Sequence, residues 1–169
     1  MRKLLTLSLA LFMVLCLSAS AFAERPDSFE PGPKLGDVRV RQALLYALDR
    51  ENFILAEYGS PELARVGLAP ISPTSWAFPD ESQLNPYAFD LDKANALLDE
   101  AGWVMGADGY RYKDGEKLAL KWLVYTDSSW PGTLSSMAFD SWKQIGVELN
   151  IELMDFNTVS DRTMDAKPG

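Results

Sequence analysis

At 169 residues the chain is long enough for one domain with its own core and short for two generous lobes. Its 24 acidic residues outnumber 16 basic ones, a formal net charge of −8, and this balance repels phosphate backbones and excludes nucleic acid as a partner. There is no histidine and the single cysteine is Cys16, so zinc ligation, Cys-His and Ser-His-Asp catalysis lack their parts and no disulfide framework can form.

The first element in chain order is a secretion leader over residues 1–23. Arg2 and Lys3 supply its positive start, Leu4 to Leu17 its apolar run, and Ala21-Phe22-Ala23 a small-x-small cleavage pattern before Glu24. The apolar run is short for a membrane span. Leu15 ahead of Cys16 is larger than a lipidation signal requires, so the product is expected to be exported without a lipid, to the periplasm or the extracellular side of the envelope.

Residues 24–36 carry three prolines and two glycines and read as a linker. Asp37 is placed to cap a helix whose Ala43, Leu44, Ala47 and Leu48 form one stripe, with Gly59-Ser60-Pro61 ending the helix or its extension. Pro61 to Pro86 holds five prolines and little periodicity. A connection of that length is expected to be functional or packed over a surface. Asp90 caps a second helix with Ala94, Leu97, Leu98 and Ala101 on one face. Gly102 suits the left-handed stop, and Trp103 folds back over it.

Tyr110 to Tyr112, a tight Asp114-Gly115 turn and Lys117 to Tyr125 predict a hairpin whose second strand is covered on both faces. Leu134, Met137, Ala138, Ser141, Trp142 and Ile145 predict a third helix, ended by Gly146. Val147, Leu149, Ile151 and Leu153 then alternate with Glu148, Asn150 and Glu152, the pattern of a half-buried strand. Strand, helix and strand predict a right-handed βαβ crossover with parallel strands. The resulting fold class is α/β, a mixed sheet with a βαβ crossover and a hairpin. The body of the domain spans residues 37–162, and 163–169 form a frayed tail.

Ligands of open parallel sheets meet the loops that follow the strands' carboxyl ends. Here that loop is Thr126-Asp127-Ser128-Ser129-Trp130-Pro131-Gly132, with hydroxyls, a carboxylate, an indole and a helix start. The same composition also describes an ordinary β–α turn. Trp76, on the Pro-rich Ser72–Trp76 segment, is either an apolar wall for a ligand or a plug onto the core. Trp103, Trp122 and Trp142 hold core positions. The carboxylates Asp90, Asp92, Asp99 and Glu100 sit on a helix start and a solvent face, so no acid–base pair spans a cleft and no catalysis is expected.

Three segments in this order, Asp37–Glu51, Pro70–Trp76 and Tyr87–Trp103, resemble the family 5 solute-binding proteins of bacterial peptide and nickel ABC importers. The resemblance runs from about Asp37 to Arg162. Members are two-lobed clamps much longer than this chain. The resemblance, which is to the C-terminal lobe only, therefore implies one lobe of a periplasmic-binding-protein type II-like clamp, the substrate-binding component or a truncated fragment of one. It implies non-catalytic capture of a small peptide-like solute, delivery to an ABC permease, no cofactor or metal, and a monomer. Trp76, Thr126, Asp127, Ser128 and Trp130 match segments that line the family's cleft. Some dipeptide binders place an arginine in the strand–helix loop to hold a carboxylate, and Thr126–Gly132 contains neither Lys nor Arg. The alternative reading is a secreted carbohydrate-binding or structural module without a transport role.

Overall fold

The computed structural model describes residues 32–164. The expected leader with its cleavage point and Cys16, most of the 24–36 linker, and residues 165–169 lie outside the described residues.

A four-residue turn of helix, α1 (Pro33–Gly36), precedes α2 (Val38–Tyr46). Asp37 caps α2 by accepting Arg39 N–H at 2.9 Å and also takes the Arg39 guanidinium, at 2.6 Å to Nη2. The helix expected to start at Asp37, with Gly59-Ser60-Pro61 ending it or its extension, is broken. It pauses at Ala47-Leu48-Asp49 and restarts as α3 (Arg50–Tyr58), because Asp49 supplies a second cap to Asn52 N–H at 3.0 Å. The long Pro-rich connection follows, with one 3₁₀ turn at Glu81–Gln83.

Asp90 caps α4 (Leu91–Glu100) through Lys93 N–H at 2.8 Å. Its end is a Schellman stop. Gly102 adopts φ +85°, its N–H reaches Asp99 O at 2.9 Å, and Trp103 N–H reaches Leu98 O at 2.9 Å. Helices α2 and α4 bury Val40, Ala43, Leu44, Ala94, Leu98 and Trp103 together with Leu118, Ile145 and Val147. This is the main core.

Three short strands, β1 (Val104–Met105), β2 (Arg111–Lys113) and β3 (Glu116–Lys117), make a small antiparallel sheet. Asp114 (φ +52°) and Gly115 (φ +82°) make the tight turn as expected. The expected long second strand of the hairpin does not exist. Leu118 is buried and donates to Arg111 O at 2.8 Å, and beyond it β4 (Ala119–Tyr125) joins a different sheet.

β4, α5 (Trp130–Gln144) and β5 (Glu148–Met154) form the βαβ unit, with β4 and β5 parallel in the register Ala119↔Glu148 to Tyr125↔Met154. β4 is less covered than its composition indicates: of its seven residues only Val124 is buried. An apolar groove of about 410 Å³ lies beside it, lined by Leu35, Leu44, Leu120, Trp122, Trp142 and Leu149. Trp103 is in the core, whereas Trp122 and Trp142 are half-buried and stack on each other at 5.5 Å.

β5 keeps its alternation at Leu149 and loses it at Leu153, which is exposed. Glu148, expected to face open solvent, accepts from Lys117 Nζ at 3.0 Å. A last helix, α6 (Phe156–Met164), follows β5 where the sequence pattern predicts no element.

The Asp37 cap carries a pH signature. The Arg39 side chain first, then the Arg39 N–H, hold its carboxyl at about 2, below its ordinary 3.8. Folding lowers this pKa, so the stabilisation is complete above 3.8 and fades as pH falls towards about 2. Asp37→Ala is expected to cost about 1 kcal/mol near neutral pH. In urea unfolding the gap between the two proteins should narrow below the unfolded pKa. A gap that widens on acidification would contradict the cap.

Candidate ligand-binding site

The parallel pair ends at Tyr125 and Met154, and two loops leave its carboxyl edge. Thr126 N–H continues the ladder for one more bond, to Met154 O at 3.0 Å. Thr126, Asp127, Ser128, Ser129 and Trp130 are all exposed. Trp130 opens α5, with Pro131 at the second position, where its missing N–H costs nothing. Tyr125 holds the loop's aromatic face. Trp130 meets it edge-on at 5.9 Å and Phe156, the first residue of α6, meets it edge-on at 5.5 Å. Trp130 and Phe156 remain 41% and 54% exposed, so the three rings form an open shelf.

Three of the polar side chains here, Asp127, Ser129 and Thr133, have partners within the chain. Asp127 Oδ2 accepts Phe156 N–H at 3.1 Å and joins the two loops. Asp155 accepts Thr158 N–H at 3.0 Å and so caps α6. Glu57, from α3, accepts the Ser129 hydroxyl on Oε1 and the Thr133 hydroxyl on Oε2, the latter at 2.9 Å.

The residues expected at the site therefore fall into two places. Thr126, Asp127, Ser128 and Trp130 share one edge of the sheet. Trp76 stands apart on a turn where Phe78 N–H reaches Ser75 O at 3.1 Å, and it is 98% exposed. It is not the plug onto the core that its composition left open. Among the described residues no hydrogen bond or ring contact joins Trp76 to the 126–130 loop. The groove of about 410 Å³ and a second cavity of about 530 Å³ beside Arg50 and Arg65 have other linings.

Sequence reasoning missed Glu57, Tyr125 and Phe156. Tyr125 and Phe156 had a detectable signal, as aromatic residues at the end of one strand and just after its parallel partner. Glu57 had none, because it lies 72 residues from Ser129.

The model of the bacterial extracellular solute-binding proteins, family 5 Middle, matches residues 14–168. The chain belongs to this family. The family 5 chain is 36% identical over 139 residues to the oligopeptide-binding protein OppA of Lactococcus lactis subsp. cremoris (strain SK11), a match covering 80% of this chain and 23% of that one. Among solved structures it is similar to AppA from Bacillus subtilis in complex with a nonapeptide, at 27% identity and a TM-score of 0.70, over 76% of this chain and 25% of that one. It is also similar to NikA from Brucella suis in complex with Fe(III)-EDTA, at 26% identity and a TM-score of 0.68, over 80% and 26%.

The chain thus spans about a quarter of the length of these relatives. Its α/β fold is that of the type II-like family 5 proteins. Among the described residues no helix is long and apolar enough to cross a membrane.

Proposed function

We propose that this family 5 chain is part of the substrate-binding component of an ABC importer. It takes up a small peptide-like solute without catalysis, is exported by the leader at residues 1–23, and delivers the solute to a membrane permease as a monomer. The supporting observation is the family match over residues 14–168, alongside relatives named for oligopeptide and dipeptide binding. Trp76, Thr126, Asp127, Ser128 and Trp130 are the proposed ligand contacts.

The open edge of the βαβ unit supports that assignment. It offers hydroxyls, a carboxylate and an aromatic face to solvent, the mixture that peptide groups pair with. A solute on this shelf keeps water on its other side. Its hydrogen bonds compete with solvent and bring little net gain. The 169-residue chain is therefore expected to bind di- to pentapeptides no better than roughly millimolar, about −4 kcal/mol. A titration followed by NMR amide shifts measures both affinity and place. Shifts at Trp76 and residues 126–130 are expected. Micromolar affinity would sink the one-walled geometry, and shifts confined to Asp92–Glu100 would sink the site.

A further inference from the structure

The start of α5 already has a carboxylate of the chain beside it. The half-buried Glu57 places its carboxylate on the hydroxyls of Ser129 and Thr133, in the first turn. There it offsets the partial positive charge of the helix start. The neighbouring start of α6 is also served from within the chain, by Asp127 and Asp155. Lys121 and Arg162, on the adjoining strand and helix, both pair with Glu152, at 2.7 and 2.9 Å. Residues 126–132 hold neither Lys nor Arg. A solute carboxylate arriving at this loop meets carboxylates of the chain and no cation within the loop.

We infer that Glu57 determines which end of the solute this loop accepts, an inference that rests on the loop being a ligand contact. By occupying the start of α5, Glu57 turns the solute so that its ammonium end or an apolar side chain meets Thr126–Trp130. The carboxylate end is directed away. The Trp130–Tyr125–Phe156 shelf is compatible with either permitted group, since aromatic faces accept both cations and apolar chains.

The test compares two blocked dipeptides on the full chain. Alanyl-phenylalanine amide presents only an ammonium, and N-acetyl-alanyl-phenylalanine presents only a carboxylate. NMR shifts of the Thr126, Trp130 and Thr133 amides give both affinities. The amide is expected to bind the wild type more tightly by roughly fivefold, the factor that one unit charge a few ångströms away produces in water. Glu57→Gln keeps an acceptor for the hydroxyls, so a merely structural Glu57 would leave that ratio unchanged. The inference expects the ratio in Glu57→Gln to fall towards unity, chiefly through tighter binding of the acetylated peptide. Equal binding of the two peptides by the wild type, or the same ratio in both proteins, overturns the role of Glu57 while leaving the loop as a ligand contact. No shift in this loop from either peptide removes the loop from the ligand and the inference with it.

Discussion

Leu98→Asp and Leu149→Asp are each expected to unfold the domain. Leu98 is 0% exposed between α4 and α2, and Leu149 is 5% exposed between the sheet and α5. The hydrophobic residues clustered around them are Leu, Ala, Val, Ile, Tyr and Trp. An aspartate there must be buried without a partner or expelled with its surroundings. The cost is more than about 4 kcal/mol, a large part of the roughly 5–15 kcal/mol that holds a domain together. Leu153→Asp is the control. It belongs to the same alternating set as Leu149 but is 65% exposed, so a change within about 0.5 kcal/mol is expected. Thermal melts of the three variants decide it. If Leu153→Asp melts as early as Leu149→Asp, the end of β5 is covered and the exposed edge described above is wrong.

Arg111→Met is expected to cost about 3 kcal/mol, although the replacement is apolar and similar in length. Arg111 is 3% exposed and acts as a hub. Its Nε donates to Ile145 O at 2.8 Å, Nη1 donates to Trp103 O and to the Asp99 carboxylate, and Nη2 donates to Asn95 Oδ1 at 2.8 Å. One guanidinium thus ties the end of α4, the end of α5 and the small sheet together. Methionine would leave the buried Ile145 and Trp103 carbonyls and the Asn95 amide oxygen without this donor, while the exposed Asp99 carboxylate would turn to water. Each orphaned acceptor costs about 1–3 kcal/mol, partly relieved by relaxation. Arg111→Lys should recover only part of the loss, because an ammonium cannot serve acceptors spread around a planar fork. Urea unfolding of the two variants gives the comparison. A methionine variant as stable as wild type would reduce Arg111 to packing.

Gly146 belongs to the same junction. It adopts φ +77°, and a Cβ built on it would lie 2.8 Å from Arg111 Cγ and 2.9 Å from Met105 Sδ. The sequence marks it only as the residue that ends α5. The close approach of Arg111, 35 positions earlier in the chain, gives a second reason for glycine there.

What could be read from the residues alone was short-range. Asp37 and Asp90 cap helices because a carboxylate beside orphan N–H groups needs no distant partner. Gly102 and Trp103 stop α4, and Asp114-Gly115 turns the hairpin, because positive φ is a local demand. The βαβ unit was legible because its strand and helix periodicities are clean and its connections short. The candidate loop at residues 126–130 followed from that unit, since its position after a parallel strand is set by chain order.

Tertiary structure decided the rest. The break at Ala47–Asp49 overrode a continuous apolar stripe, because Asp49 found backbone donors to cap. The hairpin's second strand ended at Leu118 because that side chain is drawn into the core and the chain beyond pairs with β5. Leu153 kept its place in the alternation and lost its cover, since burial depends on what lies opposite a residue and not on its own period. Arg111 and Glu57 became a core hub and a carboxylate at a helix start through partners as far as 34 and 76 positions away. Caps, stops and turns are written in the sequence because their partners lie within a few residues. Covered faces and the charge met by a ligand depend on segments that only folding brings together.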